Sequence, residues 1–252
     1  MSAAYLDNAL TDFSGYLAID EVYDGPFCIL SVVDNRRYNR LAFAVLDHDP
    51  TSADVRIFLK EFQGQLENRQ CVLRGITTDG SPLYPKVFNE LWPDIPHQVC
   101  EFHVLKEITK AILHALAKLR KETTATIPKQ PRGRPSRERQ ALARLIVQQK
   151  QGVAELFEHR YLFVRHYPSV AQKERLRELT CGRPELRTLR KIMEEVYRLF
   201  DRRCRTETAL KKLQKLRRRV RRFTRLGTTL NKLKSPTLEK SLVFLDCLLY
   251  TS

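Results

Sequence analysis

Two stretches decide how the chain is read: Val72-Leu73-Arg74-Gly75-Ile76-Thr77-Thr78-Asp79 and His97-Gln98-Val99-Cys100-Glu101-Phe102-His103. The first is an apolar run that ends on a carboxylate. A similar run, Gly15-Tyr16-Leu17-Ala18-Ile19, ends on Asp20. A carboxylate just past an apolar strand lies at a sheet edge with its backbone fixed. Two of them on neighbouring strands can hold a divalent metal for phosphoryl transfer. Taken singly, each aspartate could be an ordinary strand-end turn residue, the commoner meaning of Asp-Gly.

Working outward, the first hundred residues read in the order βββαβαβ. Gly15–Glu21 is strand one, Asp24-Gly25-Pro26 a turn, and Phe27–Val33 a continuous apolar strand. Asp34-Asn35-Arg36-Arg37 turns the chain into Leu41–Leu46. Short turns between these three strands predict an antiparallel meander. Thr51 and Ser52 cap a helix whose apolar face is Val55, Phe58, Leu59, Phe62 and Leu66. Cys71–Thr78 is strand four. Ser81-Pro82 opens a helix with Leu83, Val87, Phe88 and Leu91 on one side. Trp92–Pro96 breaks it, and His97–Cys100 is strand five. The expected fold class is α/β, a mixed sheet covered by helices.

From Val104 the pattern turns helical. Expected helices cover Val104–Arg120, a Ser136-capped segment facing inward through Leu142, Leu145, Ile146, Val153, Leu156 and Phe157, then about 169–180, 185–203, 206–225 and 237–249. Residues 121–135 read as a polar loop. The domain expectation is a lead-in over 1–14, a sheet-bearing core over 15–106, and a basic all-helical insertion or extension over 107–252.

Charge divides along the same line. Of 252 residues, 45 are Lys or Arg and 29 Asp or Glu, a net of +16. Residues 1–100 hold 8 basic and 14 acidic side chains, a net of −6, which leaves +22 on residues 101–252. Charge of that size repels itself and calls for a polyanionic partner, DNA first among them. Arg202–Lys234 alone carries 14 basic residues against one acid, Glu207. Lys211, Lys212, Lys215, Arg217, Arg218, Arg219, Arg221, Arg222 and Arg225 surround a stripe of Leu210, Leu213, Leu216, Val220 and Phe223. Because balancing acids are missing, phosphate contact is preferred over a solvated helix face. Lys129-Gln130-Pro131-Arg132-Gly133-Arg134-Pro135 is similar to an AT-hook, with Arg132 and Arg134 entering a narrow minor groove. An ordinary basic loop explains it equally well.

Six scattered cysteines without a Cys-x-x-Cys suggest a reducing compartment. No signal-peptide pattern or membrane-length apolar run is present, so a soluble protein is expected, cytoplasmic and at the nucleoid in a bacterium or nuclear in a eukaryote.

Together, Asp20 and Asp79 at strand ends in this order match an RNase H-like sheet, in which strands one and four are adjacent. Residues 15–106 resemble the catalytic core of DDE transposases of the RNase H-like superfamily. GYLAIDEVYDG (15–25) and ITTDGSPLYPKVFNELWPDIPHQVCEFHVLKEI (76–108) carry the resemblance. Its Cys-x-x-His is similar to that of Mutator-like transposases and related bacterial insertion-sequence enzymes. The resemblance implies strand cleavage and transfer with Mg2+ or Mn2+, Asp20 and Asp79 as the first two metal-binding acids, and Cys100 and His103 as the motif pair. It also implies action as a homo-oligomer on transposon ends and target.

The third acid of such a site is open. Glu194, Glu195, Asp201, Glu239 and Asp246 are internal candidates, with Glu195 and Asp246 the pair weighed against truncation. The resemblance places a Glu on a helix after a Leu-x-x-Thr-Ser-like segment, and the chain stops at Leu249-Tyr250-Thr251-Ser252. A third acid beyond Ser252 is therefore expected. The resemblance also implies a DNA-binding domain upstream, for which about a dozen residues before strand one leave no room, so an isolated catalytic-domain fragment or a decayed copy is expected. His97, Cys100 and His103 could ligate metal by residue type, but a structural zinc normally takes four ligands and no fourth is evident. The alternatives are a non-catalytic DNA-binding remnant or domesticated transposase, and an RNase H-like nuclease.

Overall fold

The structure is a computed structural model that describes residues 3–129, 133, 136–200, 205–223 and 229–243. These divide into two compact units. The first runs to Val104 and also takes in 205–210 and 235–243; the second holds 105–200, 211–223 and 229–234.

The first unit is built on a five-stranded mixed sheet of order β3-β2-β1-β4-β5. Its strands are β1 (Tyr16–Asp24), β2 (Phe27–Asp34), β3 (Arg40–Leu46), β4 (Gly75–Thr78) and β5 (His97–Val99). β1, β2 and β3 form the antiparallel meander, and β4 and β5 run parallel to β1. Gly25, with φ +59°, takes the first central position of the two-residue turn between β1 and β2. Pro26 cannot take positive φ, so the turn is of the II′ kind, which matches strand twist. The sheet class agrees with the sequence reading.

Three helices cover this sheet. α1 (Ala3–Thr11) occupies the segment read as a lead-in and buries Leu6, Ala9 and Leu10. α2 (Ser52–Asn68) starts at a capping box: the Asp54 N–H donates to Thr51 Oγ1 at 3.3 Å, and the Thr51 N–H donates to Asp54 Oδ2 at 2.8 Å. Its buried stripe is Val55, Leu59, Phe62 and Leu66. α3 (Tyr84–Leu91) begins later than Ser81-Pro82 suggested, with Pro85 in its first turn. These side chains and Leu17, Ile19, Leu30, Val32, Leu41 and Ile76 make one core.

Asp34, fully buried at the end of β2, ties the meander to the chain entering β1. Its carboxylate accepts from Ser14 Oγ at 2.6 Å, from the Ser14 N–H at 2.9 Å, and from the N–H groups of Arg36 and Arg37 at 2.8 and 3.1 Å. Burial alone would raise its pKa; those four donors hold it below the usual value.

Strand four is shorter than its apolar run. β4 spans Gly75–Thr78 because β1 begins at Tyr16, which pairs with Gly75. Residues 71–74 have no strand to pair with there, and Val72 is exposed. The expected strand start at Cys71 is thus corrected.

The second unit is helical: α4 (Glu101–Thr126, whose first turn belongs to the first unit), α5 (Arg137–Glu158), α6 (Val170–Thr180), α7 (Pro184–Phe200), most of α8 (Thr206–Arg222), and 3-10 turns at Arg160–Val164 and Asn231–Lys234. The last helix, α9 (Pro236–Lys240), belongs to the first unit. α4 continues six residues past Arg120, which corrects the expected loop from 121. Thr123 and Thr124 hydroxyls bond back to the Leu119 and Arg120 carbonyls at 2.8 and 2.9 Å, so this polar stretch satisfies itself within the helix. On α5 only Ile146 and Leu156 of the expected inner face are buried. Phe157 is exposed between the guanidinium groups of Arg120 and Arg160, 4.6 and 4.2 Å from its ring centre.

α7 organises this unit through buried Leu186, Leu189, Ile192, Met193, Val196 and Leu199. Arg190 is buried with them. It bonds to Glu194 at 2.9 Å and to the carbonyls of Leu162, Phe163 and Arg165 at 3.2, 3.3 and 2.8 Å. A buried charge is tolerated there because its donors are satisfied.

Candidate active site

The parallel pairing of β1 and β4 ends at Ile19 opposite Thr78. The next residue on each strand is an aspartate. Asp20 and Asp79 are therefore brought side by side by register, before any side-chain preference acts. β1 runs on to Asp24, whereas β4 stops, so the sheet opens on this side of Asp20.

The stop is made by Asp79 and Gly80. Asp79 Oδ1 accepts the Ser81 N–H at 2.7 Å, an Asx turn that fixes the carboxylate. Gly80 has φ +92°, and a Cβ there would lie 2.9 Å from Val99 Cγ1 on β5. Only glycine fits both demands.

A third acid joins these two. Ligand oxygens of Asp20, Glu21 and Asp79 all lie within 4.8 Å of one another. No other group of three His, Cys, Asp or Glu side chains converges in this way among the described residues. Asp20 is exposed, while Glu21 and Asp79 are half-buried. Burial raises the Glu21 pKa, and the charges of Asp79 and Asp20 add to that; Tyr84 acts the other way. Three carboxylates this close repel unless a cation or a proton joins them. Oxygen-only donors with one open side suit a hard cation, which completes its shell from water or phosphate oxygens. The set fits Mg2+ or Mn2+.

Tyr84 lies beneath this cluster at the start of α3. It is fully buried, and its ring stacks on Phe88 at 5.5 Å. Its hydroxyl is close enough to Glu21 to act on that charge, yet no hydrogen bond of ordinary geometry reaches it. Burial, then the charges of Glu21, Asp79 and Asp20, push its pKa far above the usual value, so the hydroxyl keeps its proton.

β5 and the start of α4 brace the other side. The Cys100 N–H donates to the Thr78 carbonyl at 2.6 Å, which fixes the residue before Asp79. His97 Nε2 and Thr78 Oγ1 are 2.8 Å apart. Burial and nearby Lys240 of α9 push the His97 pKa down to about 4. His103, on the first turn of α4, stacks edge-on against Phe102 and has a buried Nδ1 with no hydrogen-bond partner. His97, Cys100 and His103 do not gather as a ligand set.

The remaining sequence-selected residues are placed as follows. Glu194 is paired with Arg190, and Glu195 with Arg219, both inside the helical unit. Glu239 is exposed on α9. Asp201, Asp246, Arg132, Arg134 and Arg225 lie outside the described residues. Lys211, Lys212, Lys215, Arg218, Arg221 and Arg222 are exposed on α8, while Leu213, Leu216 and Val220 are buried on its other side. Arg217 is half-buried and donates to the Leu233 carbonyl at 3.1 Å.

A family model described as a transposase, the DDE type of the ISL3 group, matches residues 19–240. The chain belongs to this DDE transposase family. No curated protein matches the sequence. The matched span starts one residue before Asp20 and takes in the acidic group and the helical unit alike. As a transposase the protein acts on DNA, and no helix among its described residues is long and apolar enough to cross a membrane.

Proposed function

We propose that this transposase cuts and joins DNA with a divalent metal held by Asp20 and Asp79 at the open edge of an RNase H-like sheet. The observation that carries this is the register: Ile19 opposite Thr78 places both aspartates at the same level of adjacent parallel strands. The Asx turn at Asp79 and the Cys100 bond to Thr78 fix that level through the backbone, which preorganises the site. Bound Mg2+ or Mn2+ would activate first water and then a DNA 3′-hydroxyl for in-line attack at phosphorus, and stabilise the departing oxygen. The Cys100–His103 pair, the feature shared with Mutator-like and related insertion-sequence enzymes, would brace the strand ends rather than hold zinc.

In this reading residues 15–106 are the catalytic core and 107–252 a basic helical insertion. The exposed cations of α8 supply salt-dependent, sequence-independent grip on phosphates. The enzyme would work as a homo-oligomer, in the nucleoid of a bacterium or the nucleus of a eukaryote.

The test is Asp20→Asn and Asp79→Asn in the full-length transposase, assayed with Mg2+ on plasmid DNA carrying its element ends. Both variants should bind that DNA as the parent does and leave it uncut. Parent-level cleavage by either one would overturn the assignment.

A further inference from the structure

Glu21 follows Asp20 on one strand, and neighbours on a strand normally point to opposite faces. Here both carboxylates reach Asp79, with oxygens within 4.8 Å, because β4 has already left the sheet at Thr78. A second observation comes from the residue beneath the acids. Tyr84 is fully buried and its hydroxyl interacts with Glu21, yet it makes no hydrogen bond of ordinary geometry. A buried hydroxyl left unpaired costs stability. Glu21 is the acid within its reach.

We propose that Glu21 is a third protein ligand of the cation held by Asp20 and Asp79, and that the Tyr84 hydroxyl is the residue that positions it. The inference rests on the metal reading of Asp20 and Asp79. Glu21 contributes one carboxylate oxygen. Tyr84 donates its hydroxyl hydrogen to the other oxygen and so fixes the carboxylate, as outer-shell donors commonly do. No proton leaves Tyr84, so its part is geometric. The site then gains a third acid from β1 itself, whether or not an acid from a later helix joins it.

The test is a Mn2+ titration of the full-length protein without DNA, following loss of the free-ion EPR signal, beside thermal melts in EDTA. Four variants are compared with the parent: Asp20→Asn, Asp79→Asn, Glu21→Gln and Tyr84→Phe. The parent should bind Mn2+, and the two aspartate variants should lose it. Glu21→Gln should weaken binding at least tenfold and Tyr84→Phe about tenfold, a usual outer-shell effect. In EDTA, Tyr84→Phe should melt no lower than the parent, since it deletes a buried hydroxyl that makes no hydrogen bond of ordinary geometry. A merely structural tyrosine would show the reverse, a lower melt with unchanged Mn2+ affinity. Parent-like affinity in Glu21→Gln overturns this proposal alone, and stands as the deciding result should Tyr84→Phe not fold. Failure of the parent to bind Mn2+ overturns the Asp20–Asp79 reading and this proposal together.

Discussion

Replacing Gly80 by alanine tests whether the turn after Asp79 sets the site. Two costs can be worked from the structure. A residue with a Cβ at φ +92° is strained by about 1–2 kcal/mol. The new Cβ also lies 2.9 Å from Val99 Cγ1, too close for either atom to stay put. Val99 is buried and β-branched, so relief requires β5 or the turn to move, at a further cost of about 1–3 kcal/mol. Gly80→Ala should therefore cost about 2–5 kcal/mol, measured by urea unfolding followed by circular dichroism. In a Val99→Ala background the clash disappears and only the backbone strain remains. The two substitutions should then be non-additive by at least about 1 kcal/mol, with the double variant more stable than the sum predicts. Cleavage should fall with the single variant, because a displacement of about 1 Å at Asp79 can cost about a hundredfold in rate. Additive stabilities, or a Gly80→Ala protein as stable as the parent, would refute the close approach of the turn to β5.

Three further outcomes are expected. Asp34→Ala strands the Ser14, Arg36 and Arg37 donors and should cost about 3 kcal/mol in urea unfolding. His97 is held neutral, with its pKa lowered to about 4, so its contribution is intact above about pH 6.5 and lost as pH falls toward 4. After allowance for solvent screening that loss is about 2 kcal/mol and should be absent in His97→Gln, read from urea midpoints across that range. Changing Lys211, Lys212, Lys215 and Arg218 to glutamine should weaken binding to all duplexes alike. The log–log salt slope should shrink by about 0.9 for each phosphate no longer neutralised, measured by fluorescence anisotropy.

The sheet is legible in the sequence because its strands are short apolar runs between strong turn signals, and because parallel pairing after a meander leaves few strand orders. Asp20 and Asp79 can be paired from that order alone. Glu21 cannot be joined to them: strand alternation assigns it to the opposite face, and only the early end of β4 lets both neighbours reach one point. Tyr84 is hidden for a related reason. It reads as one more aromatic at the start of a helix, and nothing in its spacing shows that its hydroxyl lies beneath the acids. The expected start of strand four at Cys71 fails because an apolar run is not a strand without a partner, and β1 begins only at Tyr16. The expected end of α4 falls short because Thr-rich polarity resembles a loop, while the hydroxyls here bond back into the helix. Periodicity places Phe157 inside, but two arginines cover it on the surface instead.

The most direct measurement is a crystal of the transposase soaked in MnCl2, with diffraction recorded at the manganese absorption edge. An anomalous peak within about 2.0–2.4 Å of carboxylate oxygens of Asp20 and Asp79 is the predicted result. A protein that cleaves DNA with Mn2+ yet places its peak elsewhere would contradict the account.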